Sequence, residues 1–140
     1  MLFRSFSTPV PATVFIKKVQ EVLNFPSFQM AGQIPEKVTT VAVCGGSGSD
    51  LATEAFARGA DIYLSAEIKH NTAIWAIEND FCVIDGTHYA TEKPSVGLLA
   101  EKLKRANSSQ NWNITIRQSE TESHPFVLID KNYEKRIMNS

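Results

Sequence analysis

The stretch Thr40-Val41-Ala42-Val43-Cys44-Gly45-Gly46-Ser47-Gly48-Ser49-Asp50 decides the fold of this chain. An apolar run bounded by turn signals and without polar alternation reads as a strand buried on both faces. The glycines then turn the chain. Ser49 or Asp50 stands where a helix running to Arg58 would take its N-cap, and Gly59 stands where that helix would end. The same phrase recurs twice downstream. Asp61-Ile62-Tyr63-Leu64-Ser65 reads as a second strand, with a helix from Ile68 to about Asn79. Phe81 to Asp85 reads as a third strand, with a helix from about Thr91 to Ala106. Strand and helix alternating in this way make right-handed βαβ units, and so a parallel sheet covered by helices.

The flanks are less regular. Thr8-Pro9-Val10-Pro11 is an extended lead-in, because prolines and the residues before them resist helix. A helix follows from Ala12 to Asn24, with Phe15, Val19, Val22 and Leu23 at helical spacing; Pro26 to Glu36 reads as a loop. In the last helix Val96, Leu99 and Leu103 share one side, and Pro94 is acceptable only inside the first turn. Beyond it, Trp112, Ile114 and Ile116 alternate with polar residues as a fourth strand, and Phe126-Val127-Leu128-Ile129 offers a fifth. The polar tail Lys131 to Ser140 is expected to fray. The expected fold class is therefore α/β: a three-layer α-β-α domain with a mainly parallel sheet of four to five strands, spanning 1–140 with its core at about 12–130.

Composition narrows the function classes. The chain is 43% apolar and 21% charged, which fits a globular domain and not a disordered one. A net charge of -1, with no basic block, argues against nucleic acid as a partner. No apolar run is long enough to cross a bilayer. Cys44 and Cys82 sit in apolar runs and read as buried free thiols of a reducing cytoplasm, neither disulfide nor zinc site. The sequons at Asn107 and Asn113 are most simply chance. The first twenty residues lack acids and carry Arg4, Lys17 and Lys18, a faint presequence flavour on a segment that otherwise looks folded.

If the first three strands run parallel, three polar turns share one sheet edge, the edge where ligands of open α/β sheets bind. The first, around Gly45, Gly46, Ser47 and Gly48, offers unhindered amides suited to phosphate, although it is neither a Walker loop nor a dinucleotide fingerprint. The second carries Glu67 and His70, candidates to move protons in catalysis. The third, Asp85-Gly86-Thr87-His88-Tyr89-Ala90-Thr91-Glu92, places an imidazole and a carboxylate four residues apart, on one face of a helical turn. His88 and Glu92 could grip one metal ion, and Asp85 could orient or protonate a neighbour. Two histidines and three carboxylates on one rim suit a metal better than a nucleophilic triad; Ser47 lacks the elbow that frames a hydrolase serine.

Three ordered segments carry a family resemblance: Val41-Ala42-Val43-Cys44-Gly45-Gly46-Ser47-Gly48-Ser49, Gly59-Ala60-Asp61-Ile62-Tyr63 and His88-Tyr89-Ala90-Thr91-Glu92. Arg117-Gln118-Ser119-Glu120-Thr121 with Pro125-Phe126 adds a fourth. Together they resemble the dinuclear-metal-centre hexameric proteins, the GTP cyclohydrolase 1 type 2 homologs related to the yeast NGG-interacting factor three. The resemblance runs from about Phe15 to Leu128. It implies that His88 and Glu92 are ligands of a divalent metal (zinc, manganese, iron or magnesium), with Glu92 bridging two ions. It also implies a toroidal homohexamer and metal-dependent hydrolysis or ring opening of a purine nucleotide. The chain departs from the pattern in four respects. It has no His-His pair and resembles the carboxyl-terminal half alone. Thr87 stands where glycine usually precedes the ligand histidine, and His124 where asparagine is usual.

Two functions follow. The first is a divalent-metal-binding domain of that family acting as a metal-dependent hydrolase of a nucleotide-like substrate. Its ligand sphere would be completed by Glu67, His70, a second copy or a companion chain that supplies the amino-terminal half. The second is a non-catalytic oligomeric interaction module that keeps only part of the metal site. A metal-free phosphate-binding domain is a third reading.

Overall fold

The computed structural model describes residues 1–25, 27–129 and 135–137. Its centre is three parallel strands, β3 (Lys37–Ser47), β4 (Ile62–Ala66) and β5 (Cys82–Asp85). Two antiparallel strands flank them, β1 (Leu2–Pro11) beside β3 and β2 (Gln29–Ala31) beside β5, giving the order β1-β3-β4-β5-β2. The helices are α1 (Ala12–Leu23), α2 (Ala52–Ala57), α3 (His70–Glu78) and α4 (His88–Gln110).

The sheet has helices on both sides because its central strands are apolar on both faces. Every residue of β4 is buried. Ile62 and Leu64 point into one core with Val41, Cys82, Ile84 and the Ala12 and Val19 face of α1. Tyr63 points the other way, among Ala42, Val83, Ala52 and Ala55 of α2 and Ala76 of α3. The three-layer α/β expectation holds, and so does the order of strands and helices between residues 40 and 110.

The corrections lie at the margins. The lead-in and the Pro26–Glu36 loop contain the two antiparallel edge strands, which period-based reading misses because their pairing partners are remote in sequence. Trp112 to Ile116 forms no strand. Val127–Ile129 does form one, β6, but it pairs with β7 (Lys135–Ile137) in a separate two-stranded sheet. Part of the expected fraying tail is thus paired, and its remaining residues lie outside the described ones. Helix α4 begins three residues earlier than expected, at His88, so Pro94 falls in its second turn and has no N–H for the Ala90 carbonyl. The Val96, Leu99 and Leu103 side of α4 is exposed; the helix buries Ala90 and Ala100 instead. Cys82 is buried and free, and Cys44, also free, is half-buried.

Candidate metal centre

Strand register brings the three turns together. Ser47 lies opposite Ala66 across the β3–β4 pair, and Ser65 lies opposite Asp85 across the β4–β5 pair. The carboxyl ends of all three strands therefore finish level, and the next residues share one rim. Asp85 fastens two of the turns. One of its oxygens accepts the Ile68 N–H at 2.8 Å, and the other accepts the Thr87 N–H at 2.9 Å. The Gly86 N–H donates to the Ser65 carbonyl at 2.8 Å. Asp85 therefore orients backbone rather than a neighbouring side chain.

Glu67 leaves β4 in the left-handed region, with φ 54°. Its Oε1 accepts from Nδ1 of His88 at 2.8 Å, while Nε2 of His88 faces Oε1 of Glu92 at 3.3 Å. The first contact commits Nδ1 to the proton and leaves the Nε2 lone pair free in the neutral ring. The hydrogen bond from His88 holds the Glu67 carboxyl below its ordinary range, aided by the Ser47 hydroxyl. The same bond raises the His88 pKa, and the Glu92 charge adds to it. All three side chains are about half exposed.

The glycine turn makes room for this group. Gly46 has φ +68°, and a Cβ built on it would stand 3.2 Å from Nε2 of His88 and collide with Oε1 of Glu92. Its N–H donates to Oγ1 of Thr91 at 3.1 Å, tying the end of β3 to the face of α4 that presents His88 and Glu92. The Gly48 N–H is given to the Ala66 carbonyl. Two amides of the expected phosphate cradle at Gly45, Gly46, Ser47 and Gly48 are thereby used within the fold. Ser49 caps nothing: its hydroxyl donates to Thr72 and accepts the Lys69 N–H. His70, the expected companion of Glu67, opens α3 exposed and makes no hydrogen bond to Glu67, His88 or Glu92.

The donors suit a divalent cation up to a point. Two ligands about 2.0–2.2 Å from one ion stand roughly 3–3.5 Å apart, and His88 Nε2 and Glu92 Oε1 meet that spacing at 3.3 Å. The carboxylate behind Nδ1 is the usual support of a metal-binding imidazole, and the missing side chain of Gly46 lets the β3 backbone approach both donors closely. Among the described residues, however, no set of three or more His, Cys, Asp or Glu side chains is arranged to hold an ion.

Beside His88 opens a cavity of about 470 Å³. Glu67, Asp85 and Thr87 line its polar side, and Phe25, Phe28, Tyr89 and Phe126 its apolar wall. His124 also lines it, stacked on Phe25 at 5.5 Å and hydrogen-bonded through Nε2 to Oγ1 of Thr87 at 3.2 Å. Sequence reading found neither Thr91 nor His124 as part of the site. Both act through contacts 37 or more positions away in the chain, which no local pattern announces.

The family model of Duf34/NIF3 (NGG1p interacting factor 3) matches residues 1–125. A GTP cyclohydrolase 1 type 2 homolog of Staphylococcus aureus (strain MSSA476) is 30% identical over 115 residues, which cover 82% of this chain and 31% of that protein. One from Streptomyces coelicolor is 33% identical over 100 residues, 71% of this chain and 35% of that protein. The crystal structure of Staphylococcus aureus protein SA1388 superposes with a TM-score of 0.79 at 26% identity, covering 89% of this chain and 35% of its own. A Bacillus cereus protein related to NIF3 shares the fold with the same TM-score of 0.79 at 22% identity, covering 91% of this chain and 35% of its own. The chain thus spans about a third of the length of these relatives. A match over residues 1–125, on a fold of the same kind, settles its kinship: the chain belongs to the Duf34/NIF3 family.

Proposed function

We propose that this chain binds a divalent metal ion through Nε2 of His88 and the Glu92 carboxylate, as part of a metal-dependent hydrolase of a nucleotide-like substrate. The observation that carries the reading is the single arrangement of His88, with one nitrogen committed to Glu67 and the other facing Glu92 where the Gly46 backbone comes close to both. When bound, a divalent cation supplies Lewis acidity that brings the ionisation of water toward neutral pH. Glu67 holds the proton on Nδ1 of His88 and keeps Nε2 turned toward Glu92. The Glu67 carboxylate can also accept a proton released during hydrolysis.

Two protein ligands make a weak site. The reading therefore includes a homo-oligomer or a companion chain that completes the ligand sphere. The absence of a third ligand among the described residues favours a second reading, an oligomeric interaction module without turnover. Elemental analysis of protein purified without chelator, from cells supplied with zinc or manganese, tests the first. Wild type is expected to retain metal, and His88→Ala with Glu92→Ala to lose it. A metal-free wild type would end the proposal. Bound metal with nucleotide hydrolysis no faster than the double variant would favour the interaction module.

A further inference from the structure

The cavity beside His88 has a chemistry that the metal reading does not use. Its wall is aromatic, and two of its rings are fixed before any ligand arrives. Phe25 is buried, and His124 is held by stacking on it and by the bond to Thr87. Phe126 stands 6.1 Å from His124 at a 56° tilt and is 72% exposed, a large apolar ring in the wall of a cavity with little else covering it. The polar groups around the cavity are rich in acceptors, among them the Glu67 carboxylate and the side chain of Gln29. Among the described residues, no lysine or arginine lines it. The adjoining cavity has one cation, Lys93, and Glu122 engages it at 3.2 Å. In the metal-free protein a phosphate placed here would meet carboxylates and, among the described residues, no free lysine or arginine, whereas a flat ring with exocyclic N–H groups would find stacking surfaces and acceptors.

We propose that this cavity binds a planar, aminated heteroaromatic ring that carries no phosphate, a free base or nucleoside rather than a nucleotide, stacked against Phe126. The cavity's volume, about 470 Å³, falls within the usual range for small-molecule sites. The proposal deepens the hydrolase reading by narrowing its substrate, but it does not depend on metal, so the two fail separately.

The probe is 2-aminopurine riboside, whose fluorescence is quenched when its ring stacks, titrated with the full chain in EDTA beside its 5′-monophosphate. Saturable quenching by the riboside is expected, with the monophosphate at least about tenfold weaker. Base–aromatic stacking is worth roughly five- to 150-fold in affinity, so Phe126→Ala is expected to weaken the riboside by about fivefold or more. The exposed Leu98→Ala on α4 is expected to leave binding unchanged. Circular dichroism melts confirm that each variant is folded. Equal or tighter binding of the monophosphate, no saturable quenching by either probe, or an indifferent Phe126→Ala would each overturn the proposal.

Discussion

Thr87 adopts φ 63° and ψ 149°, a backbone region open to glycine and strained for a β-branched residue. Three contacts hold it there. Its N–H is taken by Asp85, its Oγ1 accepts the Ala90 N–H as the cap of α4, and the same Oγ1 is hydrogen-bonded to His124. Strain and cap can be separated by substitution. Thr87→Ala loses the cap and keeps an unfavourable φ, which costs about 1 kcal/mol or more. Thr87→Gly loses the same cap but relieves the backbone. The glycine variant should therefore exceed the alanine variant by about 1–2 kcal/mol in chemical denaturation; the reverse order would show that Thr87 is unstrained. The second residue-scale prediction concerns His88. Its folded pKa is raised, so its pairing with Glu67 stabilises the fold at low pH and fades as pH rises through the folded value. Glu67 has a lowered pKa, so its contribution is present above its unfolded value and fades as pH falls through the folded one. The effect is small because both groups are about half exposed. An NMR titration of the imidazole should place His88 above an ordinary histidine, and Glu67→Gln should bring it down. An unchanged titration in that variant would mean that Glu67 is not its partner.

At the scale of elements, the parts legible in the sequence were those whose partners are neighbours in the chain. Val41 to Cys44, Ile62 to Leu64 and Cys82 to Ile84 announce buried parallel strands because both of their faces meet apolar residues. The turns that follow were legible for the same reason, since parallel strands ending level must place their next residues on one rim. What stayed hidden depends on distant pairing. Gln29–Ala31 becomes a strand only because Val83 to Asp85 offers an edge, and Leu2–Ser5 only because Thr40 to Val43 does. The alternation around Ile114 pointed to a strand, yet that segment finds no strand partner, and the Asn107 side chain exchanges two hydrogen bonds with Ile114 instead. The pairing of Glu67 with His88 rather than His70 was equally invisible. It follows from where α3 and α4 begin, not from spacing along the chain.

At the scale of the molecule, apolar side chains are left outside the two cores on α4 and beyond it. Leu98 and Leu99 of α4 are 66% and 57% exposed, and Trp112 and Ile114 beyond the helix are also exposed. Such a surface is expected of a subunit that associates. Light scattering after size exclusion should give a mass above the 15.5 kDa of one chain, and Leu98→Glu with Leu99→Glu should return it to that value. A wild-type monomer would end the expectation of a homo-oligomer. The sheet margins set how such copies can meet. On one side, the pairing of β1 shifts register between Ser5 and Val10, and Pro9 and Pro11 bring no N–H to the outer edge. On the other, β2 is only three residues long. The short β2 and the proline-bearing end of β1 are poor templates for another chain's backbone, so copies that associate are expected to meet there through side chains and not by extending the sheet.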